Sequence, residues 1–241
     1  NLISPNVIEG HSANFVTPGV RGATISGGGV PAGDTDPTFP GEGPNRVTDA
    51  YGVVSGGYSN QAGDNAGTTL ERPFATVGGG TNNTAGGDTS TVGGGTNNTA
   101  SGDTSTVGGG RDNTASDYTS TVAGGNTNTA SGYTSTVAGG FSNTANGQDS
   151  TVAGGANNTA SGDNSTVVGG ELNTASGATS TVAGGETNTA SGPVTAVGGG
   201  YLNTAIGHGS TVAGGERNIA GGINSAVAGG TETLRTGTIV S

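Results

Sequence analysis

Carboxylates recur at a spacing of fifteen in this sequence, Asp88 with Asp103 and Glu171 with Glu186. On a coil of that length such neighbours would stand about 5 Å apart, close enough to share a cation or to form a hydrolase pair. Neither column runs on, so the favoured reading is a solvated surface. His11 and His208 lie too far apart along the chain to build a two-histidine metal centre. Glycine runs such as Val92-Gly93-Gly94-Gly95 would suit a phosphate cradle, yet no Gly-Lys-Ser/Thr follows and Lys is absent. The nine-residue Asp period of calcium-binding nonapeptide repeats is missing as well. With no Cys there is no thiolate nucleophile and no thiolate-bound zinc. The expectation is therefore no catalytic residue, no cofactor and no metal.

Three other patterns could act at a surface. Thr89-Ser90-Thr91 reads as a strand with both threonines outward, and the pattern returns at Thr104 and Thr106, Thr119 and Thr121, and Thr134 and Thr136. A flat array of this kind resembles the ice-binding face of insect β-solenoid antifreeze proteins, although Thr is also simply a good strand residue. Tyr118 and Tyr133 share one column and could stack a sugar, or merely pack on each other. Asn82, Asn97, Asn157 and Asn164 each begin an Asn-x-Ser/Thr triplet, a glycosylation signal that the repeat composition also generates by chance.

The elements that must carry these residues follow from a repeat. Valine stands at 77, 92, 107 and onward every fifteen residues to 227. Two glycines follow at the second and third positions. Asn occupies the sixth position at Asn83, Asn98, Asn113, Asn128, Asn143, Asn158, Asn173, Asn188, Asn203 and Asn218, and Ala the eighth. So many glycines, with no 3.6-residue spacing, exclude a helical repeat. The fold class expected is all-β, a parallel β-solenoid of about fourteen fifteen-residue coils. In Ser-Thr-Val-(Ala/Gly), Ser and Val share the inner face and Thr points out. Each Asn would stack on the next coil's Asn and bond the turn backbone. Residues 1–75 hold looser coils with insertions at Val30–Pro44 and Asn65–Phe74, residues 76–230 the regular repeat, and residues 231–241 a closing segment or junction.

Composition narrows the partners. The formal net charge is -11 and all basic side chains are Arg, which leaves no basic stripe for nucleic acid. No apolar run is long enough to cross a bilayer. A core of one Val and one Ala per coil is thin, which predicts self-association through a strand face, as a trimer, and an uncapped end past Gly230 would permit head-to-tail stacking into filaments.

The units Ser150-Thr151-Val152-Ala153-Gly154 and Ala160-Ser161-Gly162 resemble the YadA-like head repeats of trimeric autotransporter adhesins, and related fibre-protein repeats, with similar units covering residues 76–230. The resemblance implies a left-handed parallel β-roll that trimerises. It also implies a non-enzymatic adhesin head, spacer or filament subunit, extracellular or at the cell surface, with a cell-surface or matrix ligand. The alternative is the ice-binding solenoid using its threonine columns.

Overall fold

The computed structural model describes residues 4–30 and 43–236. Their regular elements are short β-strands, numbered from β1 (Val7–Glu9) to β28 (Leu234–Arg235), and all strand pairing is parallel. The fold is the expected parallel β-solenoid of about fourteen turns. Contacts divide the chain into two units, Asn1–Gly125 and Asn126–Ser241.

Each regular coil contributes two two-residue strands. In the first unit, β9 (Thr91–Val92) pairs with β11 (Thr106–Val107), and β10 (Thr99–Ala100) with β12 (Thr114–Ala115). In the second, β17 (Thr151–Val152) pairs with β19 (Thr166–Val167), and β18 (Thr159–Ala160) with β20 (Thr174–Ala175). β-Branched side chains favour these extended segments, and glycine on either side confines them to two residues. Alternation turns Val and Ala inward, where both are fully buried, and leaves Thr half-buried outside. Serine occupies the remaining inward place. Ser90 is buried and its hydroxyl donates to the Gly87 carbonyl at 2.7 Å.

Two corners close each coil. At the first, Gly95 has φ +91°, and a Cβ there would collide with the Gly110 carbonyl oxygen of the next coil. Both corners also hold a non-glycine residue in the left-handed region, Asn97 at φ 56° and Thr104 at φ 56°. That conformation has a use. Strand N–H groups donate to the following coil, as Thr91 does to Ser105, whereas Asn97 and Thr104 donate back to Thr81 and Asp88.

Of the two insertions, residues 31–42 lie outside the described residues, but their flanks Val30 and Gly43 exchange backbone hydrogen bonds. The second folds onto Ala50, whose N–H donates to Thr69 and whose carbonyl accepts from Phe74. Tyr51 and Phe74 stack at 5.1 Å. Asp49 sits buried where most coils have glycine, and its Oδ2 accepts the Asp64 N–H at 3.1 Å. Loss of hydration pushes its carboxyl pKa up. Past Gly230, where the glycine-rich unit ends, the coil register continues. Leu234 pairs with Ile219 and Arg235 with Ala220, while Ile239 and Val240 lie outside the described residues.

Candidate functional site

In each unit the buried asparagines form a column inside the first corner. Asn158 shows the pattern: Nδ2 donates to the Gly154 carbonyl of its own coil at 3.0 Å and to Gly170 of the next at 2.9 Å, while Oδ1 accepts the Asn173 N–H at 2.9 Å. Asn83 and Asn98 repeat all three bonds in the first unit, and Asn113 repeats the two donated ones. In the second unit Asn128 and Asn143 through Asn188, Asn203 and Asn218 occupy the same buried place. The principal link between coils thus runs from side chain to backbone rather than amide to amide. The column also takes in Asn14, Asn45 and Asn60, through the Asn45 N–H on Asn14 Oδ1 and the Asn60 N–H on Asn45 Oδ1. Asn60 could have been found in the sequence, six residues after Val54.

The threonine array is not the flat strand face anticipated. Thr91, Thr106, Thr121 and Thr136 do lie on strands, half-buried. Thr89, Thr104, Thr119 and Thr134 lie instead on the second corner, with φ between 50° and 56°. The left-handed backbone there turns the chain between the two threonines, so each T-x-T spans a bend. A separate threonine column, Thr84, Thr99 and Thr114 and then Thr129 through Thr204, lines the other sheet.

The two acid pairs differ: Asp88 and Asp103 are half-buried, whereas Glu171 and Glu186 are exposed. Asp103 Oδ1 accepts the Asp88 N–H at 3.2 Å and is engaged by Arg72 from the second insertion. Glu171 and Glu186 are exposed neighbours on a one-residue bridge. Among the described residues no three His, Asp or Glu gather to hold a metal ion. His11 Nδ1 accepts the Ala13 N–H within a turn, and His208 is exposed in the other unit. Tyr118 and Tyr133 are both exposed, one in each unit. The triplet asparagines Asn82, Asn97, Asn157 and Asn164 are exposed at left-handed corners.

One regularity organises the surface. Between Thr76 and Gly230 every charged residue stands on a corner: Arg111, Asp112, Glu171, Glu186, Glu216 and Arg217 on the first, Asp88, Asp103, Asp117, Asp149 and Asp163 on the second. Over that stretch both outward strand faces carry only Thr, Ser, Ala, Gly and a few other uncharged residues, in a chain of net charge -11; the charged strand residues Glu9, Arg46 and Arg235 lie outside it.

A solenoid of stacked Asn and Gly corners with neutral strand faces defines a structural repeat protein. The Ubiquitous surface protein adhesin repeat family matches residues 135–147, the stretch from Ser135 through Val137-Ala138-Gly139-Gly140 to Gly147. The repeats are similar to those of surface adhesins, in agreement with the likeness to trimeric autotransporter heads. No curated protein matches the chain. No helix among the described residues is long and apolar enough to cross a membrane.

Proposed function

We propose that this chain is a non-enzymatic adhesive repeat protein, displayed outside the cell, that self-associates through its neutral strand faces and meets its target with its charged and aromatic corners. The observation that carries this reading is the confinement of charge to the corners. Like-charged chains repel, and a contact face free of carboxylates keeps the acidic groups of two copies apart and hydrated. Packing a Thr and Ala face also adds burial to a core of one Val and one Ala per coil. The adhesin-repeat match at 135–147 supports the surface role, and a trimer is the assembly that the family likeness favours. Ice binding has no support from the geometry, since half of its threonines sit at bends. Sedimentation equilibrium together with attachment of the chain to cell-matrix coated plates tests the proposal. A stable monomer at micromolar concentration that attaches to nothing overturns it.

A further inference from the structure

One coil departs from its neighbours at a place where chemistry needs no enzyme. Ser101, Ser131, Ser161, Ser176 and Ser191 each follow an inward alanine and precede a glycine, and in the coil between Ser131 and Ser161 that place is held by Asn146. Asn146-Gly147 is the one Asn-Gly pair in the sequence. β16 (Thr144–Ala145) pairs with β18, and the ladder runs on past it, since the Thr144 N–H donates to the Asn158 carbonyl and the Asn146 N–H to the Ala160 carbonyl. Alternation therefore sets Asn146 on the same outward face as Thr144, where it is exposed. Gly147 cannot give way to a larger residue. A Cβ there would collide with the Gly162 carbonyl oxygen of the next coil, so stacking forces glycine behind whatever stands at 146. The Gly147 N–H is loosely held, sharing the Ala160 carbonyl with Asn146 at 3.3 Å.

We infer that Asn146 is a site of spontaneous deamidation, and that the product is a carboxylate on a contact face. The Gly147 amide gives its proton to solvent hydroxide and its nitrogen bonds to Asn146 Cγ. The Cγ–Nδ2 bond breaks, and the nitrogen leaves as ammonia with a proton taken from water. The cyclic imide then adds one water, opening at Cγ to aspartate or at the main-chain carbonyl to isoaspartate, so the balance is one water in and one ammonia out. Glycine eases the attack because no Cβ crowds its nitrogen. The other exposed asparagines of the second unit lack that opening, Asn157 preceding Asn158 and Asn164 and Asn224 preceding serine. The consequence follows from charge. Between Thr76 and Gly230 the outward strand faces hold no carboxylate, and deamidation at 146 introduces one. In a threefold ring each copy meets its neighbours through two different surfaces, which engages both sheets. Like charges are then brought together where none stood, and the assembly loosens as the protein ages. That consequence rests on the self-association proposed above; the chemistry at Asn146 does not.

The test holds the freshly purified full chain in warm neutral buffer and follows amide loss peptide by peptide with mass spectrometry, beside the same chain unfolded in guanidinium chloride. Asn146 is expected to lose its amide in the folded chain ahead of Asn157, Asn164 and Asn224. Asn146→Ser, which restores the residue of the other coils, is expected to remove that signal. Sedimentation of the aged chain is expected to shift toward the monomer, Asn146→Asp to show the same shift without ageing, and Asn146→Ser to hold its assembly over the same period. A thermal melt of each variant separates lost contact from lost fold. Retention of the Asn146 amide in the folded chain overturns the inference, and the unfolded chain then shows whether the fold is what protects it. An Asn146→Asp chain that folds and assembles like the parent overturns it as well. A parent that sediments as a monomer from the outset overturns the self-association and with it the contact-face half of the inference, while the mass map still decides the chemistry.

Discussion

Asn158 makes three hydrogen bonds with one amide, two given to glycine carbonyls and one accepted from a backbone N–H. Asn158→Ala strands the buried Asn173 N–H and should cost about 2–3 kcal/mol, read from the urea midpoint. The neighbouring Asn157 is exposed and accepts no such duty, and its replacement by Gly at φ 56° should leave the midpoint within about 0.5 kcal/mol. Val194 is a β-branched residue held at φ 57° and is 53% exposed. Val194→Asn, which tolerates that backbone better, should stabilise by about 1 kcal/mol. Asp49 makes a prediction with pH. Its folded pKa lies above the unfolded value because burial disfavours the charge. The folded state therefore holds the proton more tightly, and stability falls as pH rises from the unfolded pKa through the folded one. Asp49→Asn should raise the melting temperature at neutral pH, with the gain vanishing below pH 3.8, the carboxyl's ordinary value. Melting curves of both proteins across that range decide it.

The corner is the element that the period of fifteen specifies most tightly, and adjacent glycines there are not equivalent. Gly170 has φ +85° and an added Cβ would strike the Gly185 carbonyl oxygen, whereas a Cβ on Gly169 meets nothing within 4 Å. Gly170→Ala should unfold the coil or cost upward of about 2 kcal/mol, while Gly169→Ala should be nearly neutral, as denaturant titration of the pair would show. The strands, their register and the inward Val, Ala, Ser and Asn were legible in the sequence because each is fixed by periodic alternation, a signal that repetition amplifies. The bend between Thr89 and Thr91 was not. Threonine is a strand residue by propensity, and the backbone at Thr89 accepts φ 52° because its N–H then donates back to Pro73, as that of Thr104 at φ 56° donates back to Asp88. The Arg72 contact with Asp103 was equally hidden, since it depends on an insertion that obeys no period and on a reach of thirty-one residues.

At the scale of the molecule, the separation of neutral faces from charged corners makes association sensitive to where a charge is placed, not to how many there are. Thr151→Lys and Thr166→Lys, set in adjacent coils on one strand face, should shift sedimentation toward the monomer. Glu171→Lys and Glu186→Lys, equal in sign and on the first corner, should leave the assembly intact. If both pairs act alike, the strand faces are not the contact. The asparagine column adds a direction to the chain. Two of the three bonds made by each amide go to the coil that follows it, so a coil is finished only when its successor arrives. A polypeptide emerging with its N-terminus first would set each turn as the next fifteen residues appear, every completed layer serving as the mould for the one behind it. Thr233 takes the N–H position offered by Asn218 but has no amide to pass on, so the relay of the second unit stops there by chemistry.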